Sequence, residues 1–388
     1  MTSRPATKKK TPLRHFRAQV KNCLEYAAAR KKNGAKIVGI MCEYTPRELI
    51  MAAGGVPVCL CGGSAEMAEA AGKALPANLC PVIKSTFGFS LEKKNPFLEM
   101  SDLIVAETTC DGKKKMYELL ARDHPMHVLE LPQKPDDADA LGHWIAELHK
   151  LKAALETRFS TRITDKKLRA AIRVMNRERK LKRDLAALMK AGSPPLTGRE
   201  LLDMKSLIAA MPEDLKQYEK ALATLPGRAL KPPARPRVRV LLTGVPLPHG
   251  AERVLDIIEG HGGLVVAQEN CTGLKPVMED TAENAADPIR ALAEKYFHLP
   301  CSVMTPNNAR LEQLRAMAGE YKAECVIELI WQACITYDVE AASVKRLAED
   351  GLNLPYLRVE TDFSPSDSAR IALRVESLFE TARGRSRN

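Results

Sequence analysis

The chain has no apolar run long enough to cross a bilayer: nowhere in its 388 residues do the ~18 consecutive apolar residues needed for a spanning helix occur. A membrane protein is therefore not expected. The first 21 residues are basic and lack an apolar centre, which argues against a secretory leader and makes the cytoplasm the expected compartment. Aromatic residues are 5% of the chain, so a stacking platform for single-stranded nucleic acid has little to be built from. Nucleotide signatures are also missing, with no Gly-x-x-x-x-Gly-Lys-Ser/Thr loop and no Gly-x-Gly-x-x-Gly. The eight histidines are scattered and form no His-Glu-x-x-His pair, and no cysteines are spaced Cys-x-x-Cys.

What remains is an ordinary globular balance, 45% hydrophobic and 28% charged, on a chain long enough for two or three domains. The net charge of +11 collects in the N-terminal tail (Arg4, Lys8, Lys9, Lys10, Arg14, Arg17, Lys21) and in one helical stretch from Lys166 to Lys190. Without a recognition motif, that excess predicts a solvated helix face or a dock for an acidic protein, and no nucleic-acid partner.

Ten cysteines in a reducing compartment point to metal or redox chemistry more than to disulfides. Six fall into two groups of three: Cys42, Cys80 and Cys110, then Cys271, Cys301 and Cys334. Their neighbours are turn-formers and small polar residues, as in Asn78-Leu-Cys-Pro81, Thr109-Cys-Asp-Gly112 and Asn270-Cys-Thr-Gly273. Thiolates delivered singly from distant loops suit iron–sulfur clusters in a cleft, whereas structural zinc sites draw on close pairs. Three thiolates per cubane leave one iron open, which is a reason to expect catalysis. Cys59 and Cys61 read as core residues on one face of a strand, and Cys23 and Cys325 as buried thiols.

Strands and helices alternate from residue 36 and again beyond the proline-rich linker Lys231-Pro-Pro-Ala-Arg-Pro236. Ile37 to Val58 parallels Val240 to Val266, and Asp102 to Cys110 parallels Glu324 to Cys334. The expected fold class is α/β: two similar lobes with parallel sheets flanked by helices, plus a helical segment between and before them. The expected divisions are a basic tail and helix (1–35), a first α/β cluster-binding domain (36–135), a helical segment and linker (136–230) and a second α/β cluster-binding domain (231–388). Ligands of such sheets gather at the carboxyl ends of the strands, where Cys42, Cys110, Cys271 and Cys334 fall. Lys113, Lys114 and Lys115 open a helix after Cys110; they could face an anionic cluster or a phosphate, or form a solvated first turn. Thr243 to Gly250 reads as an anion cradle or a tight turn.

The segments Ala77-Asn-Leu-Cys-Pro81, Glu107-Thr-Thr-Cys-Asp-Gly-Lys-Lys-Lys-Met116, Glu269-Asn-Cys-Thr-Gly273, Gln332-Ala-Cys334 and Glu360-Thr-Asp362 resemble the 2-hydroxyacyl-CoA dehydratase/benzoyl-CoA reductase superfamily, and within it the double-cubane cluster proteins. The resemblance implies an [8Fe-9S] cluster, two [4Fe-4S] units bridged by sulfide. Its metal ligands would be Cys42, Cys80 and Cys110 in the first half and Cys271, Cys301 and Cys334 in the second, with Lys113 offsetting its charge. It also implies a homodimer that takes electrons from a separate ATP-hydrolysing iron–sulfur reductase (activator) and reduces a small-molecule substrate at low potential. Glu328, Gln332 and Glu360 are the candidate proton-relay residues; Ile335 stands where relatives often carry a histidine. The alternatives are a subunit of a 2-hydroxyacyl-CoA dehydratase, and a non-enzymatic electron-storage or iron–sulfur scaffold protein.

Overall fold

The computed structural model describes residues 11–231 and 235–385. The basic residues among the first ten positions, and Pro232, Pro233 and Ala234 of the proline-rich linker, lie outside the described residues. Eight short strands form two four-stranded sheets. The first holds β1 (Ile37–Ile40), β2 (Val56–Cys59), β3 (Leu103–Glu107) and β4 (Met126–Leu129) in the order β2-β1-β3-β4. The second holds β5 (Val238–Gly244), β6 (Gly263–Glu269), β7 (Cys325–Trp331) and β8 (Tyr356–Thr361) in the order β6-β5-β7-β8. Within the two sheets every strand pairing is parallel, and the two orders are the same, so the repeat read from sequence is a repeat of topology.

Apolar strand runs such as Leu103-Ile-Val-Ala106 arise because both sheet faces are covered. Leu103 and Val105 point to one cluster, with Trp144, Leu148, Leu151 and Leu155 of the helix Ala140–Phe159. Ile104 and Ala106 point to the other, with Phe87, Tyr117 and Leu120. That second cluster continues through Val240, Leu242 and Ile327, so the two lobes share one apolar core. The expected helical segment is present; its longest helix, Asp165–Ala187, starts with the Thr164 side chain capping Lys167 N–H.

The sequence predicts one helix over residues 12–34, but the structure breaks it at Ala18 into Pro12–Arg17 and Gln19–Lys32. The break follows from tethering on both sides. Phe16 stacks on Tyr218 at 4.7 Å, while His15 and Gln19 both bond to buried Asp214 at 2.7 Å.

Three separate pieces of chain meet at one buried ion pair. Glu48, from the helix Arg47–Ala52, contacts Arg179 of the helix Asp165–Ala187 at 2.5 Å and accepts from the Tyr296 hydroxyl at 2.8 Å. All three groups are almost fully buried. Burial works against the Glu48 carboxylate, yet Arg179 and these hydrogen bonds hold it below the ordinary range. Removing one partner strands the other charge in the core. Arg179→Ala is therefore expected to lower the unfolding free energy by about 3–5 kcal/mol, measured by chemical denaturation, with partial recovery in the Glu48→Gln/Arg179→Met double variant.

Candidate functional site

The carboxyl ends of both sheets and the helical segment enclose a cavity of about 730 Å³. All six loop cysteines line it, from both halves of the chain. Cys42 lies two residues beyond β1, and Cys271 two residues beyond β6. Cys80, Cys110 and Cys334 each sit at the N-terminal cap of a helix: Pro81–Leu91, Asp111–Leu120 and Ile335–Arg346. At that position a sulfur meets backbone N–H groups that the helix leaves unpaired. Val82 and Ile83 N–H bond Cys80, Lys113 N–H bonds Cys110, and Tyr337 N–H bonds Cys334.

Cys59 and Cys61 differ from the core placement expected of them. Both line the cavity as well, because β2 ends there and delivers them beside Cys42. Cys23 and Cys325 are fully buried, as read from sequence. The halves interleave at the sulfurs: Cys42 neighbours Cys301 and Cys271, and Cys80 accepts a hydrogen bond from Cys334.

Burial pushes the Cys42 thiol up to about 12, with Lys113 pulling the other way, and it also raises Cys110 and Cys271. Hydrogen bonds from Cys334 and Cys61 bring Cys80 and Cys59 down to about 7 each. Soft sulfur donors whose thiols are for the most part pushed up by burial are an environment in which a bound cation can take the place of the thiol protons. Among the described residues, no three His, Cys, Asp or Glu side chains converge on a single-ion site. The six loop thiols line a space of about 730 Å³, which leaves room for a group larger than a single ion.

Lys113 Nζ donates to the Met41 carbonyl at 3.0 Å, and Cys61 Sγ donates to the same oxygen at 3.4 Å. Burial alone would lower the Lys113 ammonium; Cys42, Tyr117, Cys61 and Cys110 more than reverse this and hold it well above the ordinary lysine range. Lys114 is exposed at the cavity rim against Asp111 at 2.8 Å, and Lys115 is exposed against Glu118 at 2.6 Å, so of the three only Lys113 is withdrawn from solvent. The second half supplies a lysine that the sequence reading missed. Lys275 is buried, bonded to Glu269 at 2.9 Å and Tyr337 hydroxyl at 2.8 Å. Its position four residues after Cys271 mirrors Lys113 three after Cys110, and that spacing was the available signal.

The expected proton-relay residues are not at the cavity. Glu328 is fully buried within β7, bonded to Arg310 at 3.0 Å and Tyr356 at 2.7 Å. Gln332 is exposed at the end of that strand, and Glu360 faces solvent against Arg358 at 2.9 Å. The alternation of β7 and β8 turns these side chains away from the sulfurs. Ile335 is 65% exposed yet lines the cavity, which puts the mouth at its side, together with Asn78 and Asp111. Val245, Pro246, Pro248 and His249 of the Thr243–Gly250 stretch form part of the cavity wall. Gly250, at φ +95°, lies against Gly63 of the loop following Cys61, where a Cβ would come within 2.6 Å of the Gly63 carbonyl.

Mild oxidation of the reduced, cluster-free chain with diamide is expected to link Cys80 to Cys334 across the two halves, read by peptide mass spectrometry, while Cys23 and Cys325 stay free.

The family described as 2-hydroxyglutaryl-CoA dehydratase, D-component, matches residues 42–382. YjiM of Escherichia coli (strain K12), provisionally named a dehydratase subunit, is 41% identical over 364 residues, covering 90% of this chain and 92% of its own. The (R)-phenyllactyl-CoA dehydratase beta subunit of Clostridium sporogenes is 26% identical over 376 residues, 94% of this chain and 97% of its own. A subunit of benzoyl-CoA reductase from Thauera aromatica is 27% identical over 318 residues, 76% of this chain and 80% of its own. With a family match across most of its length and a relative this similar over nine-tenths of it, the chain belongs to the 2-hydroxyglutaryl-CoA dehydratase D-component family.

Proposed function

We propose that this chain is an iron–sulfur oxidoreductase that holds a double-cubane [8Fe-9S] cluster and reduces a small molecule at low potential. The observation that carries the reading is the convergence of both cysteine triads on one cavity. A single cubane has no use for two triads. The ligands are Cys42, Cys80 and Cys110 with Cys271, Cys301 and Cys334, while Cys59 and Cys61, paired with one another, stand outside the set.

Bound there, the cluster supplies low-potential electrons and an iron without a cysteine ligand. The chain's own residues supply the rest. Helix N-terminal amides donate to the sulfurs of Cys80, Cys110 and Cys334, and would favour their thiolate form once a cluster replaces the thiol protons. Lys113 offsets negative charge at the floor, anchored on the Met41 carbonyl. Val245, Pro246 and Trp331 line the wall and keep water out, with the Trp331 indole fixed by its bond to the Pro246 carbonyl at 2.9 Å. The chain has no phosphate-binding loop, so ATP is assigned to a separate iron–sulfur reductase that delivers the electrons. A cytoplasmic homodimer completes the reading; among the described residues no helix is long and apolar enough to cross a membrane.

A second reading, a subunit of a 2-hydroxyacyl-CoA dehydratase with one cubane, is favoured by the names of relatives such as the (R)-phenyllactyl-CoA dehydratase beta subunit. Iron and acid-labile sulfide per chain after anaerobic purification separate the two: about eight irons supports the double cubane, about four the dehydratase subunit, and none with one zinc ends both. Cys110→Ser or Cys334→Ser is expected to lose at least half of the iron, whereas Cys59→Ser and Cys325→Ser retain it. Equal loss in all four would remove the distinction between ligands and bystanders.

A further inference from the structure

The charges around the cavity are matched with one exception. Arg47 pairs with Glu43 at 2.6 Å, Lys114 with Asp111 at 2.8 Å, and Arg179 with Glu48 at 2.5 Å. Lys182 pairs with Glu178 at 3.0 Å and Lys205 with Glu252 at 3.4 Å. Among the described residues, Lys113 is the only cation on the cavity wall with no carboxylate at ion-pair distance; its ammonium has a neutral carbonyl instead. A half-buried ammonium with no carboxylate beside it is costly unless something negative is expected there.

The two halves differ in this respect. Among the described residues, the second half presents no carboxylate, lysine or arginine side chain to the cavity; the imidazole of His249 is kept neutral, held down to about 4 by burial and Lys205. Its lysine, Lys275, lies behind the wall and is already neutralised by Glu269. The same carboxylate also takes Arg310 at 3.2 Å, and Arg310 goes on to Glu328 and Glu340. On the first-half side Glu107, whose carboxyl feels Lys113, is fully buried, bonded through one oxygen to the Thr45 hydroxyl and without a hydrogen-bond partner for the other.

From this asymmetry we propose that the two ends of the cluster site are electrostatically inequivalent, and that the iron–sulfur group beside Lys113 takes up the first electron. The inference rests on the double-cubane reading. The step is a one-electron reduction: the electron comes from an external low-potential iron–sulfur reductase, or from a chemical reductant in the test, and no bond is made or broken. The added negative charge is stabilised where an ammonium is uncompensated, in a medium of low dielectric, and less so beside an ion pair whose field cancels within a few ångströms. Lys113 thereby gives the cluster a direction: the first-half end fills first, and the second-half end stays oxidised until a second electron arrives.

The test is an anaerobic potentiometric titration of the holoprotein, followed by electron paramagnetic resonance, with iron counted in every sample. The wild type is expected to reduce in two resolved one-electron steps. Lys113→Met should keep its iron, move the first step to a more negative potential and bring the two steps together. Lys113→Arg should restore the wild-type value, and Lys114→Met, which removes an exposed, paired charge from the same helix turn, should leave it unchanged. Full iron with an unmoved first step in Lys113→Met overturns the inference while leaving the double-cubane reading intact. Loss of iron from Lys113→Met but not from Lys113→Arg overturns it too, since the charge would then serve assembly and not potential. A wild type without about eight irons fails the underlying reading instead.

Discussion

Everything in this molecule is arranged around the difficulty of keeping many sulfurs in one buried space. Thiolates repel one another and resist desolvation, and six to eight of them cannot share a cavity unless positive charge is brought to them. The chain provides three kinds. Helix N-termini end at Cys80, Cys110 and Cys334, Lys113 stands at the first-half end while Lys275, paired with Glu269, lies behind the second, and the proposed cationic group would meet the remaining deficit. The sulfurs line a cavity of about 730 Å³, which gives room for the large group proposed here.

The fold supplies what this requires. Two copies of one parallel sheet topology bring carboxyl ends, with their loops, to a common opening. The shared apolar cluster through both lobes and the Glu48–Arg179–Tyr296 contact fix the lobes against the helical segment. The Gly63–Gly250 approach seals the wall where the two halves touch, and neither residue leaves room for a side chain there.

Much of this was legible in the sequence. Short apolar runs bounded by turns marked the strands, the second half repeated the first, and turn-forming flanks distinguished the six loop cysteines from Cys23 and Cys325. Cys59 and Cys61 escaped because a Cys-x-Cys on a strand looks the same whether its face meets packing or a cavity. Lys275 escaped because a lone lysine in a Gly-Leu-Lys-Pro stretch reads as surface; only tertiary folding buries it against Glu269 and Tyr337. Glu328, Gln332 and Glu360 stood as proton-relay candidates, but strand alternation decides direction, and it turns them away from the cavity. The break at Ala18 depends on Asp214, nearly two hundred residues away, and no local pattern announces it.

The central claim is that the thiols of both halves hold one iron–sulfur group between them. An iron-edge anomalous difference map from crystals grown without oxygen tests it directly. The account predicts two adjacent iron-rich peaks inside the cavity, reached by Cys42, Cys80 and Cys110 on one side and Cys271, Cys301 and Cys334 on the other. A cavity without iron signal, or a single isolated metal peak, would contradict it.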